Sequence, residues 1–271
     1  MKTDMEITNA GYRKYPFPFA LDIYFVKVPP PCLPKFSSYD SSNALRSLRL
    51  GKYTEWFNDV LSTEISHKCE DVLDLLSKTY GCQKIEIVIP ELHEMRTAHI
   101  VSIGSEAMSS LNPYCQEGKR PQFTLDTRIN LALFESFSAS DYVASQCLRR
   151  RIMHHHMEIF RNVDIIVTPT TGITAPLIPP SSLDCGESNL QVSGYLMRFI
   201  IAANLLGLPA ISVPIGHDKQ GLPIGLQLIG RPWGEASVLR LASAVEELCA
   251  ESRKRPSTFY DIMKTNHLVP S

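Results

Sequence analysis

Three groups of residues have the types that chemistry uses. His154-His155-His156 supplies imidazoles, which ligate metals or move protons. A metal site on a helix wants histidines at i and i+4, so that both face one way. Three consecutive histidines on a helix point about a third of a turn apart, so they read as a face part solvated and part buried. Arg149-Arg150-Arg151 has the charge to meet phosphate or anionic lipid, yet reads more simply as a solvated face with one arginine paired locally. Thr168-Pro169-Thr170-Thr171-Gly172 follows a β-branched run. That is the carboxyl end of a strand, where open α/β sheets bind ligands. A plain strand exit with side-chain turns fits it equally well.

A nucleophile is harder to find. The sequence holds no G-x-S-x-G, no P-loop and no G-x-G-x-x-G, and none of its 14 glycines adjoins another. An exposed nucleophilic serine needs a glycine-rich turn, because larger neighbours block both the strained backbone and the oxyanion donors. No catalytic residue, metal ligand or cofactor is therefore assigned. The seven cysteines are scattered without a C-x-x-C pair, which suggests reduced thiols in an intracellular compartment. A formal net charge of -1 argues against nucleic acid as a partner. No apolar run reaches the length of a membrane span.

The elements that must position these residues are marked by periodicity and punctuation. Ser62 or Thr63 caps a helix to about Tyr80, with Ile65, Cys69, Val72, Leu73 and Leu76 on one face and Gly81 as its stop. Strands at 48–51 and 85–89 flank it, which predicts a parallel βαβ unit. A helix is expected over 92–111, a loop over 112–126, and a short helix over 127–137. Ser138 and Asp141 resemble a capping arrangement for a long helix to about Phe160. A strand follows at 163–169, then a loop to 188. The densest apolar stretch, Phe199–Trp233, reads as helix, Gly-Leu-Pro stop, strand, polar turn and strand. A last helix covers 235–250. Before all of these, residues 21–28 (LDIYFVKV) read as a strand among proline-rich segments.

With these residues in view, a resemblance emerges. Phe199–Trp233 and Val163–Pro176 (VDIIVTPTTGITAP) resemble the carboxyl-terminal part of the amidase signature family, in particular its branch of plant fatty acid amide hydrolases. The likeness extends through SLRLGKYTEWFNDV (47–60), EMRTAHIVSIGS (94–105), FSASDYVASQCLRRR (137–151) and FYDIMKTN (259–266). It divides the chain into a divergent segment at 1–28, an amidase region at 29–266 and a tail at 267–271. The family works through a nucleophilic Ser, a bridging Ser and a Lys base in a motif with paired glycines. This sequence lacks paired glycines, so it reads as the half without the catalytic centre.

The resemblance implies an α/β fold: a mixed, mostly parallel sheet with helices on both faces. It implies hydrolysis of fatty acid amides such as N-acylethanolamines by the whole enzyme, with no turnover by this chain. A lipid-binding or regulatory remnant, or an incomplete gene product, is the alternative. By the same resemblance, Ile100, Ile103, Leu133, Phe137, Leu190 and Ser193 would border the tail of a long-chain fatty acid amide. A sheet edge and apolar surface left uncovered would favour association with a partner or a homodimer; the resemblance to a lipid hydrolase in turn allows peripheral contact with an endomembrane or the plasma membrane, though no segment demands it.

Overall fold

The computed structural model describes residues 45–183, 186, 189–252 and 254. The strand expected at 21–28 and the FYDIMKTN segment lie outside the described residues. Strand β1 (Arg49–Lys52) leads through the short helix α1 (Thr54–Asn58) to α2 (Thr63–Tyr80), which closes on Gly81 in the left-handed region at φ 75°. Glycine reaches that region without the steric penalty of a Cβ. Strand β2 (Gln83–Glu86) then pairs with β1 in parallel, completing the βαβ unit.

Helix α3 runs from Leu92 to Gln116, past the expected stop, with Pro113 inside its last turn. Proline there forfeits one hydrogen bond near the frayed end, a smaller loss than in mid-helix. Helix α4 (Leu125–Phe134) follows a single 3₁₀ turn, so the expected 112–126 loop is only partly a loop. Ser138 and Asp141 form a reciprocal capping box at the start of α5 (Ala139–Asn162). Strand β3 (Ile165–Pro169) is wholly buried. Helices α6 (Leu190–Met197) and α7 (Ile201–Leu206) precede the hairpin of β4 (Ala210–His217) and β5 (Pro223–Gly230). The hairpin turn is held by the Asp218 carboxylate, which accepts from the backbone N–H of Gln220 (2.9 Å) and Leu222 (2.8 Å). Helix α8 (Glu235–Leu248) closes the described fold.

The five strands lie in the order β2-β1-β3-β5-β4. β1 pairs in parallel with β2 and β3, and β5 pairs antiparallel with β3 and β4. The sheet is mixed, as expected, but parallel pairings make up half of those described rather than most. The cause is the hairpin, since a short turn can only reverse the chain. Helices cover both faces. One core joins α2 and α8 to the sheet through Leu73, Leu76, Leu241 and Val245. The other joins α1, α3, α5 and α7 through Trp56, Met95, Ile152 and Leu205. Coverage is incomplete at the β4 edge, where alternate residues Ala210, Ser212 and Pro214 are exposed.

Candidate functional site

The carboxyl end of β3 collects polar groups from several elements. The Thr170 N–H donates to Gly225 O at 2.9 Å, and the Thr170 and Ser212 hydroxyls pair at 2.6 Å. Gly225 makes room for them: a Cβ there would lie 2.6 Å from Thr170 Oγ1 and 2.8 Å from Ser212 Oγ. Thr171 Oγ1 donates to Ile173 O at 2.7 Å, a side-chain turn of the kind the composition allows. Gly172 ties two elements together, accepting from Leu61 N–H and donating to Tyr195 O.

Beside this loop a polar cleft of about 390 Å³ is lined by Asn58, Asp59, His93, Arg96 and Arg198. Asp59 accepts from Arg198 through both its carboxylate and its backbone carbonyl, and Arg96 stands 3.7 Å away. The Arg198 guanidinium lies 4.5 Å over the Tyr195 ring. Sequence spacing carries no sign of this cluster, because Asp59 and Arg198 are 139 residues apart.

The residues expected to border a hydrocarbon tail fall into two groups. Ile100 and Ile103 stand on α3, Leu133 on α4, and Phe137 on the turn into α5. α3 and α4 pack together, and Phe137 lies against α3 at Gly104. Ile100, Ile103 and Leu133 are 40%, 46% and 40% exposed, high for large apolar side chains. Leu190 and Ser193 stand apart on α6, which shares no extended packing with α3 or α4. The core helix begins beyond them, at Ile201. Ser193 is exposed, so its hydroxyl needs no protein partner.

The histidine run divides as its spacing predicts. His154 is exposed, His155 stands 3.4 Å from the Glu91 carboxylate, and His156 is buried. Burial pushes the His156 imidazole down to about 4, against the raising effect of its hydrogen bond to Ile152 O. In the arginine run, Arg151 reaches Glu91 by two contacts of 2.7 and 2.8 Å, and Arg149 bonds Gln146. The Glu91 pairing is long-range, not local. It also clamps α5 to the entry of α3, where Glu91 itself holds φ 59°.

At the opposite end of the sheet Asp164 is a hub. Its carboxylate accepts from the Arg49 backbone N–H (3.0 Å), Arg49 Nε (3.1 Å) and Nη2 (3.0 Å), and Arg231 Nη2 (2.6 Å). Burial raises its pKa, but the bonds from Arg49 and the charges of Arg49 and Arg231 outweigh this and hold it below the usual carboxylate range. Asp164 sits where β3 begins, away from the ligand end of the sheet, so this cluster staples strands together.

Lys52, Lys84, Lys119 and Lys219 are engaged by the carboxylates of Glu70, Asp74, Glu117 and Glu64. The described residues present exposed apolar side chains on α3 and α4 and a cleft lined largely by charged and polar groups.

Comparison with known proteins agrees with this architecture. The Amidase family matches residues 25–239. The chain is 66% identical over 236 residues to a fatty acid amide hydrolase of Medicago truncatula, covering 87% of this chain and 39% of that protein. It is 63% identical over 245 residues to the fatty acid amide hydrolase of Arabidopsis thaliana, covering 90% of this chain and 40% of that protein. Among solved structures, a glutamyl-tRNA(Gln) amidotransferase component of Thermotoga maritima superposes with a TM-score of 0.56 at 27% identity, over 74% of this chain and 42% of that one. A bacterial aryl acylamidase of the amidase signature family shares the fold at a TM-score of 0.60 and 21% identity, over 77% and 46%. The chain thus spans about 40% of the length of the plant relatives it matches. It belongs to the amidase family.

Proposed function

We propose that this chain forms the acyl-chain side of a fatty acid amide hydrolase. Ile100, Ile103, Leu133 and Phe137, together with Leu190 and Ser193 on the separate helix α6, border the hydrocarbon tail of a long-chain amide such as an N-acylethanolamine. No serine of this chain is assigned as the nucleophile. In the whole reaction a serine takes the acyl group from the amide nitrogen and water then releases the fatty acid.

The observation that carries this reading is the exposure of Ile100, Ile103 and Leu133 on two packed helices of a chain 66% identical to a plant fatty acid amide hydrolase. Apolar side chains left in water cost about 25 cal/mol per Å², so a tail laid across them is stabilised by their desolvation. The same exposed surface supports self-association or peripheral contact with a membrane. Among the described residues no helix is long and apolar enough to cross a membrane.

Titration of the 271-residue chain with N-oleoylethanolamine tests the reading. Saturable binding without hydrolysis is expected, weakened about tenfold by Phe137→Ala, the loss of one aromatic contact with the tail. No binding up to the solubility limit overturns the assignment of the tail site. Hydrolysis above background overturns the absence of a nucleophile.

A further inference from the structure

Glycine in the middle of a helix weakens it, so the position of Gly104 within α3 asks for a reason. Gly104 is buried, and Ile100, Gly104 and Met108 lie at i, i+4 and i+8 on one stripe of the helix. Against that stripe stand two aromatic rings, Phe134 at the end of α4 and Phe137 three residues on. Their centroids are 5.9 Å apart. A Cβ on Gly104 would lie 2.5 Å from Phe134 Cδ1, 2.8 Å from its Cγ and 2.9 Å from Phe137 Cε2. The two rings rest directly on the α3 backbone. Beside them an open cleft of about 490 Å³ runs between α3 and the start of α5, with Ser105, Met108 and Tyr142 in its walls.

We infer that Gly104 is a specificity-determining position: it seats the Phe134–Phe137 pair on α3 and thereby sets how long a hydrocarbon tail the site accepts. This rests on the tail-binding reading above. Restoring ordinary contact after adding one methyl requires the rings to withdraw by about 1 Å, since carbon atoms rest about 3.5 Å or more apart. The α3 backbone blocks one direction, so the rings move away from it, and on the tail-binding reading the open cleft beside them is the space a tail would use. Leu131, one turn earlier on α4, is buried and anchors the helix that carries Phe134.

The test compares binding of N-stearoylethanolamine and N-lauroylethanolamine to the whole chain, wild type and Gly104→Ala. Alanine is the better helix former, so helix content by circular dichroism should be kept. The stearoyl-over-lauroyl preference should fall about tenfold in Gly104→Ala, the size of effect that overpacking produces. Adding Phe134→Leu should restore the preference to within about threefold, because the smaller side chain vacates the seat. A second readout does not depend on binding. With 4-fluorophenylalanine at position 137, Gly104→Ala should shift the fluorine resonance and the added Phe134→Leu should return it. If wild type binds neither amide but the fluorine shift and its reversal occur, the tail-binding reading fails while the ring seat stands. If wild type binds both and Gly104→Ala leaves the preference or the resonance unchanged, the inference about Gly104 fails alone.

Discussion

Replacing Asp164 with asparagine removes the charge that staples three strands while keeping the side chain's shape. In the wild type four donors from Arg49 and Arg231 converge on this carboxylate at 2.6–3.1 Å. A hydrogen bond to a charged group contributes about 1.5–3 kcal/mol when buried. Here the arginine side chains are 34% and 42% exposed, so solvent screening cuts the figure sharply. Asparagine also keeps one oxygen acceptor. A net destabilisation of about 2 kcal/mol follows, and for a domain of this size that lowers Tm by about 4–8 °C. Urea unfolding at neutral pH measures it directly.

The pH dependence supplies an independent check on the same residue. The folded pKa of Asp164 is lowered, so its contribution is present above the unfolded carboxylate pKa of about 3.9 and is lost as pH falls through the folded value. The gap between wild type and Asp164→Asn should hold through neutral pH and close in acid. A variant within about 0.5 kcal/mol of wild type at neutral pH would refute the hub, since that is the scatter of ordinary surface substitutions. A gap that persists undiminished below the folded pKa would show that packing, not charge, is responsible.

Three further outcomes follow from local geometry. Ser138→Ala removes the capping box of α5 and should cost about 1 kcal/mol in chemical denaturation, whereas Ser138→Asp should cost less because it can still cap. His156 has its folded pKa lowered to about 4 from 6.5 by burial, so the unfolded state binds the extra proton first. Its effect is to erode stability as pH falls from about 6.5 to about 4, and its ring resonances in the folded chain should not titrate above about pH 5; a midpoint near 6.5 would contradict its burial. Gly225→Ala places a methyl 2.6 Å from Thr170 Oγ1, so it should cost about 1–3 kcal/mol, and pairing it with Ser212→Gly and Thr170→Gly should recover part of that.

What could be read from the sequence was what local chemistry encodes. α2 was legible because its apolar face repeats at helical spacing and Gly81 supplies the left-handed stop. The β4–β5 hairpin was legible because Gly-Leu-Pro, Asp218 and Gly221 mark its joints. Pro113 misled for the same reason, since a breaker near a helix end costs too little to end the helix. The parallel share of the sheet was overestimated because strand direction depends on connections, and one short hairpin reverses two pairings. Asp164 was invisible because its partners Arg49 and Arg231 lie 115 and 67 residues away. Gly104 did leave a signal, as a lone glycine inside a helical pattern, but the rings that explain it come from another helix. Of the expected tail-bordering residues, Ile100 and Ile103 share a helix as their spacing requires. The separation of Leu190 and Ser193 onto α6 follows from a break at 198–200 that no breaker residue marks.

Tail binding without amide cleavage is the role proposed for this chain. Isothermal titration of the purified chain with N-oleoylethanolamine, with product analysis of the same samples, tests both halves at once. Saturable binding, a negative heat-capacity change from apolar burial, and no free oleic acid are expected. Absence of saturable binding, or accumulation of oleic acid above the protein-free rate, would contradict it.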